Sequence, residues 1–446
     1  MKEFSIQALA RIIKAQPAKK DGFFTGVSTD SRTIKEGDCF FAITGENFDG
    51  HDYIQQAFDK GAVCAVASED FTGERILKVP DTIKALGLLA KAERSRNNYK
   101  VVAITGSTGK TTTRQIIAHV LRQRYRVFES PANFNNSIGV PLTFLAAGEE
   151  DEIIVAELGT SSPGEIAYLS RIAQPDIAII TNVYCAHLAG FGSLEAIVKE
   201  KLSIADGLKD DATLIINGDF DCLTNACRDR GIRFSTFGKS GTQIRCRVSG
   251  SVFTVDGTEV ELPLPSEGNV ENALAAWALC RQFGITIDQF SRSIKTLPAV
   301  PMRTQWLQIG TLKVLNDCYN ANPASMKNAL DIMTRLNPDQ NCRKVFICGD
   351  MAELGPESAQ MHEQLGRLIA KANIDLLLTV GRLAAIAGRT AKSFAKKPLQ
   401  LKCFQDTHSV CDSLQELIKN DDIILVKGSR TAKLETVVAG LKKVFS

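Results

Sequence analysis

The chain has 446 residues, 44% of them apolar and 23% charged, so a core of ordinary size is available and collagen-like, disordered and disulfide-stapled classes are excluded. Its 53 basic and 50 acidic residues leave a net charge of +3, too balanced to signal nucleic acid or an anionic membrane as partner. No apolar run approaches the ~18 residues that span a bilayer, and the opening MKEFSIQALARIIKAQ lacks a signal-type apolar segment, so a cytoplasmic location without membrane insertion is expected.

Residues 1–97 form the first block. Short β-like runs at 39–43 and 62–67 are separated by the turn-rich stretches VSTDSR and TGENFDGHD. A helix is expected over 81–94, followed by a polar hinge, RSRNNYK, near Asn97. The second block, 98–311, opens with the buried-type strand VVAIT at 101–105, then a glycine loop and a helix from about Lys110. Further continuous apolar runs at 153–158 and 177–181 predict a parallel sheet covered on both faces. An apolar helix within NVENALAAWALCRQFG and a linker, LPAVPMR, with a second hinge near Pro301, close this block. In the third block, 312–446, strands at 344–348, 376–380 and 423–426 each run into a glycine: Gly349, Gly381 and Gly428. That pattern predicts a second open α/β sheet with ligands at its carboxyl edge. The twelve cysteines include no C-x-x-C pair and read as reduced core thiols. The five histidines lie far apart, which argues against zinc.

The strongest local signal is TGSTGKTTT at 105–113, with a strand before it and a helix after it. Gly106, Ser107, Thr108 and Gly109 let backbone N–H groups close around phosphate oxygens. Lys110 can reach the β- and γ-phosphates, Thr111 can offer its hydroxyl to Mg²⁺, and Thr112 continues the helix start, whose dipole favours an anion. Ile104 stands where the longer form of the loop has glycine, so this is the short G-x-x-G-K-T form. The loop specifies ATP or GTP, not a reaction.

Glu157 and His187 fall at carboxyl ends of strands in the same sheet. They can serve Mg²⁺ directly or through water; alternatively, Glu157 is a solvent-facing carboxylate and His187 a packed or capping imidazole. A helix over 194–208 would place Leu194, Ile197, Val198, Ile204, Ala205 and Leu208 on one face, with Lys201 in the middle, Lys199 pointing away and Glu200 flanking. Such a lysine either snorkels to water or is held where desolvation lowers its pKa. A neutral amine there can take up CO₂ as an anionic carbamate.

TGSTGKTTT, NFNNSIGVPLTFL, AELGTSSPGEI, TNVYCAHLAGFGS, DCYNANPAS, CGDMAELG and VKGSR together resemble the Mur ligases of peptidoglycan synthesis. NFNNSIG, YNANP and GDMAELG resemble most the branch of that family that adds D-alanyl-D-alanine. The resemblance runs in order from about Ser28 to Arg430. It implies an N-terminal UDP-substrate α/β domain, a central P-loop ATPase-type parallel-sheet domain and a C-terminal Rossmann-like domain that binds the incoming dipeptide. It implies an ATP-dependent reaction joining D-Ala-D-Ala to UDP-MurNAc-tripeptide through an acyl phosphate, with two Mg²⁺ ions and a monomeric enzyme.

The same resemblance implies roles for individual residues. Lys110, His187 and Lys201 are catalytic, Lys201 as a carbamate. Thr111, Glu157, His187 and the Lys201 carbamate hold metal. Asn269 reads adenine with support from Asn272, Arg303 meets phosphate from the domain junction, and Asp317, Tyr319 and Asn320 contact the nucleotide. Ser28, Thr29, Asp30, Ser31, Arg32, Thr44, Gly45, Asp49, Gly50 and His51 serve the UDP-sugar, with Asn135, Asn136 and Asn322 also on the substrate side. Lys427, Ser429 and Arg430 hold the dipeptide.

Without the resemblance, VSTDSR can be a plain turn, the YNANP asparagines turn formers, and KGSR an anion nest with no substrate. Asn316, Tyr184-Cys185, Ala189 and Gly268 depart from the family pattern, at fine nucleotide contacts rather than at phosphate or metal groups. The remaining alternatives are another ATP-dependent amide ligase of this fold, such as a different Mur ligase or a folylpolyglutamate synthase, and a nucleotide-driven switch or binding protein. No N-K-x-D-type base reader follows the loop, as a GTPase switch requires.

Overall fold

The computed structural model describes residues 1–16, 21–46, 48–68, 71–184, 188–239, 244–249, 252–255, 257–262, 266–336 and 342–446. Among these, three main sheets follow one another along the chain. The first is a four-stranded parallel sheet, ordered Gly26–Ser28, Asp38–Phe41, Cys64–Ser68, Ile76–Val79.

The second has nine strands. Its parallel centre runs Thr213–Asn217, Ile177–Ile180, Lys100–Thr105, Ile153–Glu157, with Val127–Glu129 at one edge. Val101 to Ile104 and Ile153 to Ala156 are fully buried because helices cover both faces, as their uninterrupted apolar runs require. At the other edge, after Phe234–Gly238 and Ile244–Ser249, the strands Val252–Val255 and Thr258–Glu261 form an antiparallel hairpin.

The third sheet has six strands, ordered Gln305–Ile309, Leu312–Asn316, Ile423–Lys427, Lys344–Gly349, Leu376–Val380, Gln400–Phe404. Its first pair is antiparallel, so Gln305–Ile309 joins this sheet although it precedes residue 312, where the sequence pattern starts the third block. The edge strand is half-polar (QWLQI), which is why it does not read as a buried strand.

The apolar cores are distributed unevenly. One continuous core joins a face of the first sheet (Cys39, Phe41, Val66, Leu77) to a face of the second (Val101, Ala103, Ile154, Ile180). The helix Thr82–Arg96 lies between them and packs on the helices Gly139–Ala146 and Glu165–Ala173. At its end, the buried Arg94 guanidinium donates to the carbonyls of Ala173 (3.0 Å) and Tyr99 (3.2 Å) and pairs with Asp176 at 2.9 Å. The segment near Asn97, expected as a hinge, is therefore clamped. The C-terminal sheet has its own two cores, which share no residue with the others.

Candidate active site

The glycine loop leaves the Lys100–Thr105 strand and enters the helix Lys110–Leu121. Gly109 is the helix N-cap at φ +77°, a left-handed conformation that favours glycine. A Cβ on Gly109 would collide with the Asn272 side-chain amide, and one on Gly106 with the Thr181 hydroxyl. The loop is held from behind. Asn182 accepts from the Ser107 N–H (3.1 Å) and, through its side chain, from the Thr108 N–H (2.9 Å). Thr181 donates to the Thr108 carbonyl (2.7 Å), and Asn217 donates to the Thr181 carbonyl (3.1 Å). Sequence reasoning passed over this supporting shell; its signal is the pair of polar residues ending the IAII strand.

Lys110 donates to the Gly106 carbonyl at 2.9 Å. Burial lowers its pKa, the Glu157 charge opposes that, and Arg303 adds to it. Glu157 is 2% exposed; burial pushes its carboxyl up, but Lys110, Arg114, Arg303 and an Asn135 hydrogen bond outweigh this and hold it below its ordinary value. Its two oxygens accept from the Thr111 hydroxyl (2.8 Å) and the Asn135 amide (2.9 Å). Glu157 is thus a buried anion at the carboxyl end of its strand, held by its neighbours rather than facing open solvent.

The hydroxyl and carboxylate oxygens of Thr111 and Glu157 suit a hard cation. Among the described residues no three His, Cys, Asp or Glu side chains are grouped so as to hold a metal ion. Mg²⁺ held by one carboxylate together with substrate phosphates requires none. His187, expected as a further metal ligand, lies outside the described residues.

Lys201 sits in the α-helix Leu194–Leu202, which tightens into a 3₁₀ turn at Ser203–Gly207 instead of continuing to 208. The Ser203 hydroxyl, bonded back to the Glu200 carbonyl (2.6 Å), marks the change. Lys201 is 3% exposed, so it does not snorkel to water. Among the described residues its amine has no hydrogen-bond partner and no ion pair. Burial, then the Lys110 charge, pull its pKa down to about 7, with Glu200 opposing. The Glu200 carboxylate is committed elsewhere, accepting from the Gly164 (2.6 Å) and Ile166 (2.8 Å) N–H groups at the start of the earlier helix Glu165–Ala173.

A cleft of 810 Å³ separates the central and C-terminal sheets. The loop residues Ser107 to Thr112, Asn135, Asn136, Glu157, Asn269 and Asn272 line it from one side. Arg303, Asp317, Tyr319, Asn320, Asn322 and Lys427 line it from the other. The Arg303 guanidinium lies 4.2 Å from the Tyr319 ring centroid. Asn272 accepts from the Thr113 hydroxyl (3.4 Å), a supporting position inside the helix Glu267–Cys280. The Asn136 carboxamide oxygen accepts from the Ile138 and Gly139 N–H groups, and Asn322 caps the helix Pro323–Arg335 through a capping box, so both amides serve helix starts. Gly268 brings the two sides close: its N–H donates to Asn328 at 3.0 Å, and Glu267 pairs with Lys327 at 3.5 Å. Tyr184, one of the departures from the family pattern, also lines the cleft, as does Glu271, which did not stand out in the sequence. Burial, with Glu267 and Asp219, raises Glu271 to about 7 against the opposing Lys239.

The three residues expected at the dipeptide end are placed as follows. The Lys427 ammonium is buried and bonds to the Asp317 carboxylate (2.6 Å), the Asn320 carbonyl (3.1 Å) and the Asp317 carbonyl (3.5 Å). With three donors on three protein oxygens it has none left for a dipeptide carboxylate. The buried Ser429 hydroxyl bonds the Thr431 hydroxyl (2.9 Å). Arg430 is exposed, pairs with Glu435 (2.9 Å) and points toward Tyr319, 6.0 Å from its centroid. Neither residue lines the cleft.

The UDP-side residues form a separate cluster on the first sheet, away from this cleft. Ser28 and Asp30 shape a turn in which Asp30 pairs with exposed Arg32 at 2.7 Å, Thr29 is half-buried between them, and Ser31 donates to Gln56 (2.7 Å). Asp49 accepts from Thr44 (3.1 Å) and from the His51 ring (2.5 Å), whose other nitrogen accepts from the Ser68 N–H (3.0 Å), fixing a neutral tautomer. Gly45 lies in the exposed loop, and Gly50 packs where a Cβ would strike the Ile43 backbone.

Comparison with known proteins matches this geometry throughout its length. Family models described as Mur ligase family, catalytic domain, Mur ligase middle domain, and Mur ligase, glutamate ligase domain match residues 23–94, 104–280 and 302–430. The UDP-N-acetylmuramoyl-tripeptide–D-alanyl-D-alanine ligase of Bacillus subtilis is 36% identical, covering 98% of each chain. The crystal structure of MurF from Acinetobacter baumannii superposes with a TM-score of 0.87 at 30% identity over 99% of each chain. MurF ligase from Thermotoga maritima, solved in complex with ADP, gives 0.81 at 29% identity over 94% of this chain and 97% of that one. With a nucleotide-type cleft between two α/β sheets and matches along almost its whole length, the chain belongs to the Mur ligase family.

Proposed function

We propose that this protein joins D-Ala-D-Ala to UDP-MurNAc-tripeptide at the expense of ATP, giving UDP-MurNAc-pentapeptide, ADP and phosphate for peptidoglycan synthesis in the cytoplasm. The observation that carries the reading is the cleft, in which the phosphate loop and Glu157 face Arg303 from the connection between the sheets and Asp317 and Tyr319 from the C-terminal side. The full-length relatives supply the acceptor. In this reading residues 1–97 hold the UDP-muramoyl peptide, 98–311 the ATP, and 312–446 the dipeptide.

A carboxylate does not react usefully with an amine in water. Transfer of the γ-phosphoryl group to the peptide carboxylate gives an acyl phosphate, and attack by the dipeptide amine expels phosphate. No protein nucleophile is needed. The loop N–H groups and Lys110 bind and orient the phosphates, and Arg303 adds positive charge from the other wall. Thr111 and Glu157 would hold Mg²⁺, and the unpaired Lys201 amine suits conversion to a carbamate that would hold a second ion. Bound Mg²⁺ neutralises charge between ATP and the substrate carboxylate. Contacts across the cleft, such as Gly268 to Asn328, help keep the acyl phosphate from water.

Phosphate release from ATP requires both UDP-MurNAc-tripeptide and D-Ala-D-Ala, and mass spectrometry of the product gives the pentapeptide. Release with a single amino acid instead would move the chain to another amide-ligase step; release with neither substrate required would favour a nucleotide switch. Thr111→Ala shifts the Mg²⁺ concentration for half-maximal rate upward about tenfold at fixed ATP. An unchanged Mg²⁺ titration would remove Thr111 from the metal site.

A further inference from the structure

The buried Lys427 ammonium ties together two segments that meet at the cleft. It bonds one oxygen of Asp317 (2.6 Å) and the carbonyl of Asn320 (3.1 Å). The other Asp317 oxygen accepts from the Thr304 N–H (3.0 Å), and the Tyr319 N–H donates to the Met302 carbonyl (3.1 Å). Arg303 lies between those two anchor points, and its guanidinium covers the Tyr319 ring at 4.2 Å. It is close enough to Lys110 and Glu157 to perturb both.

We propose that Lys427 is a positioning residue for the nucleotide side of the cleft: through Asp317 and Thr304 it fixes the Met302–Thr304 backbone, and so the place of Arg303 opposite the phosphate loop. This rests on the ATP-dependent reading above. A lysine at the end of a C-terminal strand thereby acts on the phosphate rather than on the dipeptide. The argument is geometric. The ammonium is 2% exposed and its donors are satisfied within the protein, while Arg303 belongs to the connection between the two sheets.

The test compares Lys427→Met, Asp317→Asn and the double variant, using calorimetric binding of Mg²⁺-ATP alongside steady-state rates. Lys427→Met weakens Mg²⁺-ATP binding about tenfold or more and lowers kcat, while KM for D-Ala-D-Ala stays within about twofold. The double variant, which removes both buried charges and so restores a neutral pair, binds Mg²⁺-ATP no more weakly than Asp317→Asn alone. Two results would overturn the proposal: unchanged Mg²⁺-ATP binding with a dipeptide KM raised tenfold, or a double variant at least tenfold weaker than Asp317→Asn. The binding arm does not need turnover. Wild-type protein that binds Mg²⁺-ATP but does not use D-Ala-D-Ala would therefore refute the ligase reading while leaving this comparison intact.

Discussion

Lys110→Met lowers the rate of phosphate release in the presence of both substrates by about 100- to 1,000-fold, the size expected when one preorganised donor to a developing phosphate charge is removed. The ammonium bonds only to a loop carbonyl among the described residues, and methionine keeps most of its length, so the fold should survive the change. Glu157 would keep Arg114 (3.5 Å) and the Asn135 and Thr111 hydrogen bonds as partners. Stopped phosphate-release assays set beside thermal unfolding check this. A variant that unfolds at the wild-type temperature and loses less than tenfold in rate would show that the loop backbone and metal suffice.

Lys201→Ala costs about 100-fold or more in rate, and added short carboxylates such as acetate restore part of it by standing in for a carbamate. Mg²⁺ alone does not restore it. Full activity in the variant would remove the carbamate from the mechanism. Stability responds in the opposite direction. Burial and Lys110 hold this amine near 7, well below the ordinary lysine value of ~10.4, so the unfolded chain binds more protons between those values. Native stability therefore rises with pH across that window. Lys201→Met unfolds at a higher temperature than wild type, with the greatest gain at and below pH 7 and a shrinking gain toward pH 10. A gain that grows with pH would mean that the wild-type amine is charged and paired in the native state.

Much of this site was legible in the sequence because its parts are local. A strand, two glycines, lysine and threonine within nine residues dictate a phosphate loop, and the continuous apolar runs dictate the sheet around it. Lys201 showed itself through helical spacing, although the helix stops six residues early. What stayed hidden depends on long-range pairing. Nothing local to VKGSR shows that Lys427 reaches back over a hundred residues to Asp317. The half-polar Gln305–Ile309 strand lacks the pattern of a buried strand and is recruited only by its neighbour. The hairpin of Val252–Val255 and Thr258–Glu261 did carry a signal, the Asp-Gly pair of VFTVDGTEVEL, which was passed over in favour of the parallel-sheet pattern. Glu157 read as an ambiguous strand end because its burial is produced by Thr111 and Arg114 of the helix Lys110–Leu121 and by Asn135, which come from two other segments.

The clamp that Arg94 makes on Ala173, Tyr99 and Asp176, with one apolar core running beneath it, changes the mechanical description of the molecule. Three sheets do not amount to three independently moving bodies. The first two form one block, and the C-terminal unit, with separate cores, meets it at the Pro301 linker and across the cleft. Sequestering a reactive intermediate then costs the orientational freedom of a single joint rather than two. Part of the alignment between the first sheet and the phosphate loop is supplied by folding, before any substrate arrives.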